Sequence, residues 1–201
     1  MRFLIGLFLL GLMAACGNDQ GVENTPAEVA ASAYRTPGPK SLELITVVNN
    51  RTGGGGHSAL LIKGSQTVIF DPAGSFRDPR IAERADVIYG VTPAWEQAYK
   101  SAHARNTFHV VSQVIPVSDA EIDRALELAR RSGPVGSARC TIATSGILRQ
   151  LVGLEATQST YFPTKLMDQV ETIPGVKTTR YYEDDAGDVM DAVQASQLVF
   201  D

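Results

Sequence analysis

Cysteine is nearly absent from this chain: Cys16 and Cys140 are the two in 201 residues. They form no Cys-x-x-Cys pair, so a thiol–disulfide oxidoreductase, which needs a resolving partner, is disfavoured. Histidine is equally sparse, with His57, His103 and His109 the three present. Basic residues are in no excess: 18 Lys and Arg face 22 Asp and Glu, a formal charge of −4, which gives no footprint for nucleic acid. After the N-terminus no apolar run approaches the roughly 20 residues that span a bilayer. The one glycine run, Gly53 to Gly56, lacks the lysine and hydroxyl residue that would make it a phosphate loop. No cofactor is expected, no metal site, and no internal repeat is visible.

What the chain does have begins with an export signal. Arg2 supplies a short positive region, and Phe3 to Leu12 is an apolar run too short for a permanent anchor. Leu12-Met13-Ala14-Ala15-Cys16 resembles the lipobox of bacterial lipoproteins, with Met13 where that motif usually has leucine. The resemblance implies a signal peptide over residues 1–15 and a lipidated Cys16 at the head of the mature chain. Ordinary secretory cleavage nearby is the alternative. Acyl chains on Cys16 would hold the protein to a membrane, each buried methylene adding about 0.8 kcal/mol. Gly17 stands where inner-membrane retention is associated with aspartate, which favours the periplasmic face of the outer membrane. Removing residues 1–15 from 201 leaves 186, enough for one domain with a substantial core. Residues 16–40, rich in small and polar types without apolar period, read as a flexible tether, and residues 41–201 as the domain.

Within 41–201 the apolar pattern alternates between strand and helix periods. Leu42 to Asn49 reads as a strand. His57 to Ile62 and Thr67 to Asp71 read as an antiparallel hairpin about a turn at Lys63 to Gln66. Asp86 to Tyr89 is a short strand, and Thr92-Pro93 opens a helix that runs through Trp95, Tyr99 and Ala102. Phe108 to Ile115 is another strand. Ser118-Asp119-Ala120-Glu121 is a capping box that starts a helix ending before Gly133. A helix around Leu166 to Val170, a strand over Val176 to Tyr182 and a last helix over Val189 to Leu198 complete an α+β fold.

Ser137 to Leu151 carries the decisive residue. Gly133, Pro134 and Gly136 break the chain before it, Ser137 is placed to cap a helix, and Gly153 to end one. Cys140 then falls in the first turn, where unpaired N–H groups and the helix dipole favour a thiolate. Cys140, Ala143, Ile147 and Leu151 share one stripe, expected to face a sheet. With Cys16 lipidated, Cys140 is the only free thiol of an exported protein, either inert in the core or reactive for a purpose.

A reactive thiol needs a base and a group to orient that base. His103 reads as solvated late in a surface helix, and His109 as an ordinary strand residue. His57 leaves the glycine run at the mouth of the hairpin and is the best partner for Cys140; an incidental strand-end histidine is the alternative. Asp71 ends the paired strand, so folding back brings it near His57, although register decides whether the two share a face. A turn-forming Asp-Pro is its other reading. Ser58, Asn106 and Gln113 are weaker substitutes for Asp71. Gly55 and Gly56 are candidate substrate-binding positions, where backbone can approach a ligand closely.

Gly56-His57-Ser58-Ala59-Leu60 on a strand, a polar residue ending the next strand, and a downstream cysteine at a helix start resemble the circularly permuted NlpC/P60 (papain-like) superfamily. That group includes lecithin:retinol acyltransferase-like enzymes and bacterial lipoproteins of the YaeF and YiiX type. The resemblance covers about Leu42 to Leu151, with histidine before cysteine as in the permuted order. It implies a papain-like antiparallel sheet packed against helices. It also implies Cys140 as nucleophile, His57 as base and Asp71 as orienting group. Members often have an asparagine or aromatic residue before the cysteine; this chain has Arg139. The expected activity is cysteine hydrolase or acyltransferase chemistry on an amide or ester, a cell-wall peptide or other acyl substrate, through a Cys140 thioester. The competing expectation is a non-catalytic envelope lipoprotein with a papain-like binding domain.

Overall fold

The computed structural model describes residues 23–186; the expected signal segment, Cys16 and the helix expected over 189–198 lie outside them. Seven strands form one sheet: β1 (Ser41–Asn49), β2 (Gly55–Lys63), β3 (Thr67–Phe70), β4 (Glu83–Arg84), β5 (Val87–Tyr89), β6 (Phe108–Ile115) and β7 (Lys177–Tyr181). Their order is β4-β5-β3-β2-β1-β6-β7, and every pairing is antiparallel. The helices are α1 (Pro26–Ala31), α2 (Pro93–His103), α3 (Asp119–Ser132), α4 (Cys140–Leu148) and α5 (Pro163–Glu171). The fold is α+β, and among the described residues no helix is long and apolar enough to cross a membrane.

The sheet buries both faces, which explains why β1 to β3 read as near-continuous apolar runs. Leu42, Leu44, Leu60, Ile62, Val68 and Phe70 form one core with Ile122 and Leu126 of α3, Ile147 and Leu148 of α4, and Leu166 of α5. The alternate residues Ile45, Ala59, Leu61 and Ile69 form the other with Tyr99 and Ala102 of α2 and with Phe76. Because side chains alternate along a strand, neighbouring residues of β2 serve different layers. Ser58 points to α4, where its hydroxyl meets Thr141 and Thr144. His57 points to the α2 layer, where its ring lies nearly parallel to that of His103.

Two local expectations change. Residues 23–40 are not a bare tether. Thr25 caps α1 in a capping box, Asn24 bonds the backbone of Glu83, and the Tyr34 carbonyl accepts from Thr67 at 2.7 Å. These bonds use donors and acceptors at the sheet margin that would otherwise stay unpaired. At α4, Ser137 does not cap. Arg139 is the N-cap and makes no side-chain capping bond, and the turn before it is completed by Ala138 at φ 61°. The helix ends at Leu148, short of Gly153, and its buried face is Thr141, Thr144, Ser145 and Leu148 as well as Cys140 and Ile147. Half of that face bears hydroxyls, which apolar periodicity passes over; of the expected stripe, Cys140, Ile147 and Leu151 are buried and Ala143 packs against the core.

Candidate active site

His57 opens the regular part of β2, immediately after a register irregularity at Val47 and Val48. β3 runs antiparallel to β2, so the chain leaves β3 at the end where β2 begins, and Asp71 is the first residue beyond it. The register puts both side chains on the α2 face: His57 Nε2 and Asp71 Oδ1 are 2.6 Å apart. Asp71 is fully buried, and its Oδ1 also accepts from the Tyr99 hydroxyl at 2.6 Å. Its other oxygen, Oδ2, is buried without a hydrogen-bond partner. Gly74 closes the turn over Asp71, and a Cβ there would lie 1.8 Å from Oδ2, so any side chain at this position would displace the Asp71 carboxylate.

Cys140 arrives from the other layer. As the first residue of α4 it sits where the helix presents free N–H groups, close enough to His57 for that ring's charge to act on its thiol. Since Nε2 of His57 is engaged by Asp71, Nδ1 is the nitrogen left for the sulfur. The Thr141 hydroxyl stands 3.7 Å from the sulfur, and the Ser58 backbone N–H also faces it.

The charges in this cluster are mutually dependent. Burial alone pushes the Cys140 thiol up, but the His57 hydrogen bond and charge, with Thr141 and Ser58 assisting, bring it down to about 7 from an ordinary 9.0. Burial alone disfavours an imidazolium at His57, and the Asp71 carboxylate overrides this, with Cys140 adding to it, raising His57 to about 10. Asp71 is likewise penalised by burial and held below the usual carboxylate range chiefly by the His57 charge. Between about pH 7 and 10 the ground state is therefore a thiolate–imidazolium pair braced by a carboxylate.

No protein-family model, curated protein or solved structure matches this chain.

His103 is placed differently from the expectation. It is buried, not solvated, and its ring packs against Tyr99 with centroids 4.3 Å apart. Its Nδ1 is 2.8 Å from the Tyr99 carbonyl, which only accepts, so Nδ1 carries the proton and Nε2 the lone pair. Burial, reinforced by the nearby His57 charge, lowers its pKa to about 4 against the attraction of Asp71, and it stays neutral. The sequence did hold a signal for this: His103 lies four residues after Tyr99, on the apolar stripe of α2. Tyr99, Thr141 and Thr144 were also passed over, because a tyrosine on a core stripe and hydroxyls inside a helix resemble ordinary packing.

The remaining candidates separate. Gly56 lines a cavity of about 380 Å³ beside His57, shared with Val47, His103, Arg105 and Phe108. Gly55 faces α5 instead: a Cβ there would come within 2.6 Å of the Pro163 Cβ, so its smallness serves packing. His109 bonds Asn50 and stacks on Tyr182 at the opposite margin of β1. The Gln113 side chain is committed to Met167 and Glu171. Ser58 braces α4, and the Asn106 side chain accepts from Thr107, so Asp71 alone of the four proposed orienting groups reaches His57.

Proposed function

We propose that this protein is an exported, lipid-anchored cysteine hydrolase or acyltransferase of the permuted NlpC/P60 papain-like type, acting on an amide or ester. The observation that carries the reading is the convergence of three residues far apart in the chain: His57 lies 2.6 Å from Asp71, and its charge lowers the thiol of Cys140, the only cysteine of the described residues. The papain-like assignment has support in the histidine-first order and in a helix-start cysteine docked on an antiparallel sheet.

In this reading the Cys140 thiolate attacks the substrate carbonyl carbon. The developing oxyanion is stabilised by the Cys140 backbone N–H at the helix start. His57 delivers its proton to the leaving amine or alcohol as the C–N or C–O bond breaks, leaving an acyl thioester. Water or an acceptor nucleophile then gives its proton to neutral His57 and attacks the thioester. The thiolate is released and the imidazolium restored. Asp71 holds the ring and stabilises the imidazolium throughout. The lipidated Cys16 places the reaction at a membrane face, and the cell envelope makes peptidoglycan stem peptides the first substrates to offer.

The test is an intact-mass experiment with activated acyl esters. A one-equivalent acyl adduct on Cys140, absent in Cys140→Ser and slowed in His57→Gln, supports the proposal. A thiol that is acylated or alkylated only after denaturation refutes it and leaves the non-catalytic lipoprotein.

A further inference from the structure

The Asp71 side of His57 also belongs to a second cluster, completed by His103. His57, Asp71 and His103 each offer a ligand atom, and the three atoms lie within 4.8 Å of one another. We infer that His57, Asp71 and His103 form a binding site for a divalent transition-metal ion of the zinc class, in which the ion replaces the proton shared between His57 and Asp71.

Four observations point there. Two imidazoles and one carboxylate, with an open position for water, are the donor set that borderline cations such as Zn²⁺ and Co²⁺ take. Asp71 Oδ2 is buried with no partner, an uncompensated acceptor in a site where nearly every other polar atom is engaged. His103 is already held as metal-binding histidines usually are: Nδ1–H donates to the Tyr99 carbonyl and the other nitrogen is left as a lone pair. The Tyr99 hydroxyl on Asp71 supplies the same outer support for the carboxylate. Finally, the 380 Å³ cavity is lined by both histidines, which gives the ion a path in and a coordinated water a place to sit.

Binding is balanced by loss of one proton from His57 Nε2 to solvent, and no electron moves. Nδ1 of His57 is not consumed and stays free to serve the Cys140 sulfur, which is not among the three ligands. The metal-bound and metal-free proteins therefore share an available thiol. The consequence for Cys140 rests on the functional reading above, whereas the binding itself does not.

The full chain is titrated with Co²⁺ or Zn²⁺ alone, by calorimetry and by visible absorption of the Co²⁺ form, in wild type, His103→Phe, His103→Gln and Cys140→Ser. Phe keeps a ring against Tyr99 and Gln keeps a polar side chain, and the variant whose circular dichroism matches wild type is the one read. The expected result is one ion per chain and a Co²⁺ spectrum without a sulfur-to-metal charge-transfer band. Affinity should be unchanged in Cys140→Ser and at least tenfold weaker in the folded His103 variant. Cys140 in the Zn²⁺-loaded wild type remains open to iodoacetamide. Absence of stoichiometric binding overturns the site, as does binding that survives loss of His103 but is lost with Cys140, or alkylation blocked by one equivalent of metal. Should the wild-type thiol prove inert even without metal, the acyl-transfer reading fails, and the Cys140→Ser titration still decides the metal site.

Discussion

Replacing His57 by glutamine removes the positive charge that holds Cys140 as thiolate while leaving an amide able to donate to buried Asp71. Without that donor, an uncompensated buried carboxylate would cost about 3–5 kcal/mol and confuse chemistry with unfolding. The Cys140 thiol sits at about 7 against an ordinary 9.0, and His57 is the main cause opposing burial. In the variant burial is opposed only by Thr141 and Ser58, so the midpoint of the thiol should return to about 9.0. At pH 7 the thiolate fraction would fall from about one half to about 1%, roughly fiftyfold. The rate of alkylation falls less, because a thiolate of higher pKa is the better nucleophile. With a Brønsted slope of ~0.45, two pH units return roughly eightfold, and the net loss at pH 7 is only about sixfold. The informative assay is therefore the full rate–pH profile with iodoacetamide from pH 5 to 10, with circular dichroism confirming the fold. A wild-type midpoint near 7 moving to about 9.0 is expected. A midpoint that stays near 7 in His57→Gln would refute the thiolate–imidazolium pair.

Other perturbations read the same site independently. The folded-state pKa of His57 is raised, so alone it contributes stability below 6.5 that is lost as pH rises through about 10. The folded-state pKa of Cys140 is depressed, so its contribution is present above 9.0 and lost as pH falls through about 7. In wild type the two cancel between about pH 7 and 9, and urea unfolding should show a flat stability there. Cys140→Ser removes one partner, and its stability relative to wild type should fall over that window by about 1.4 kcal/mol per pH unit. Gly74→Ala should displace Asp71, since the new Cβ would lie 1.8 Å from Oδ2; the expected result is a raised Cys140 midpoint together with a lower urea midpoint. Thr141→Val removes a hydroxyl 3.7 Å from the sulfur, and the alkylation midpoint should rise by less than His57→Gln raises it. Gly55→Ala should lower stability without moving that midpoint, because its clash is with Pro163 and not with the site.

Much of the secondary structure was legible because local rules and tertiary context agree. β6 occupies the predicted Phe108–Ile115, Thr92 caps α2, and Ser118 accepts from the Glu121 N–H to start α3. The reciprocal half of that capping box is absent: the Glu121 carboxylate reaches the Val152 N–H instead. The α4 region was read less well. Its helix starts after a strained Ala138 with no side-chain cap, a geometry that the glycines and Ser137 nearby do not announce.

The sequence by itself determined the scarcity that made the chemistry searchable. One cysteine follows Cys16, three histidines compete to serve it, and a hairpin returns an aspartate to the strand where His57 begins. It could not determine which face His57 and Asp71 point to, because a one-residue slip of the ladder reverses both. Nor could it bring α4 to the end of β2, since that contact joins residues more than eighty positions apart through Ser58, Thr141 and Thr144. His103 shows the division most plainly. Its position in α2 was readable, but its burial against Tyr99 and beside Asp71 exists only because the whole helix lies on the sheet. Charge, protonation and metal affinity are set by what surrounds a side chain, and that is a property of the assembled molecule.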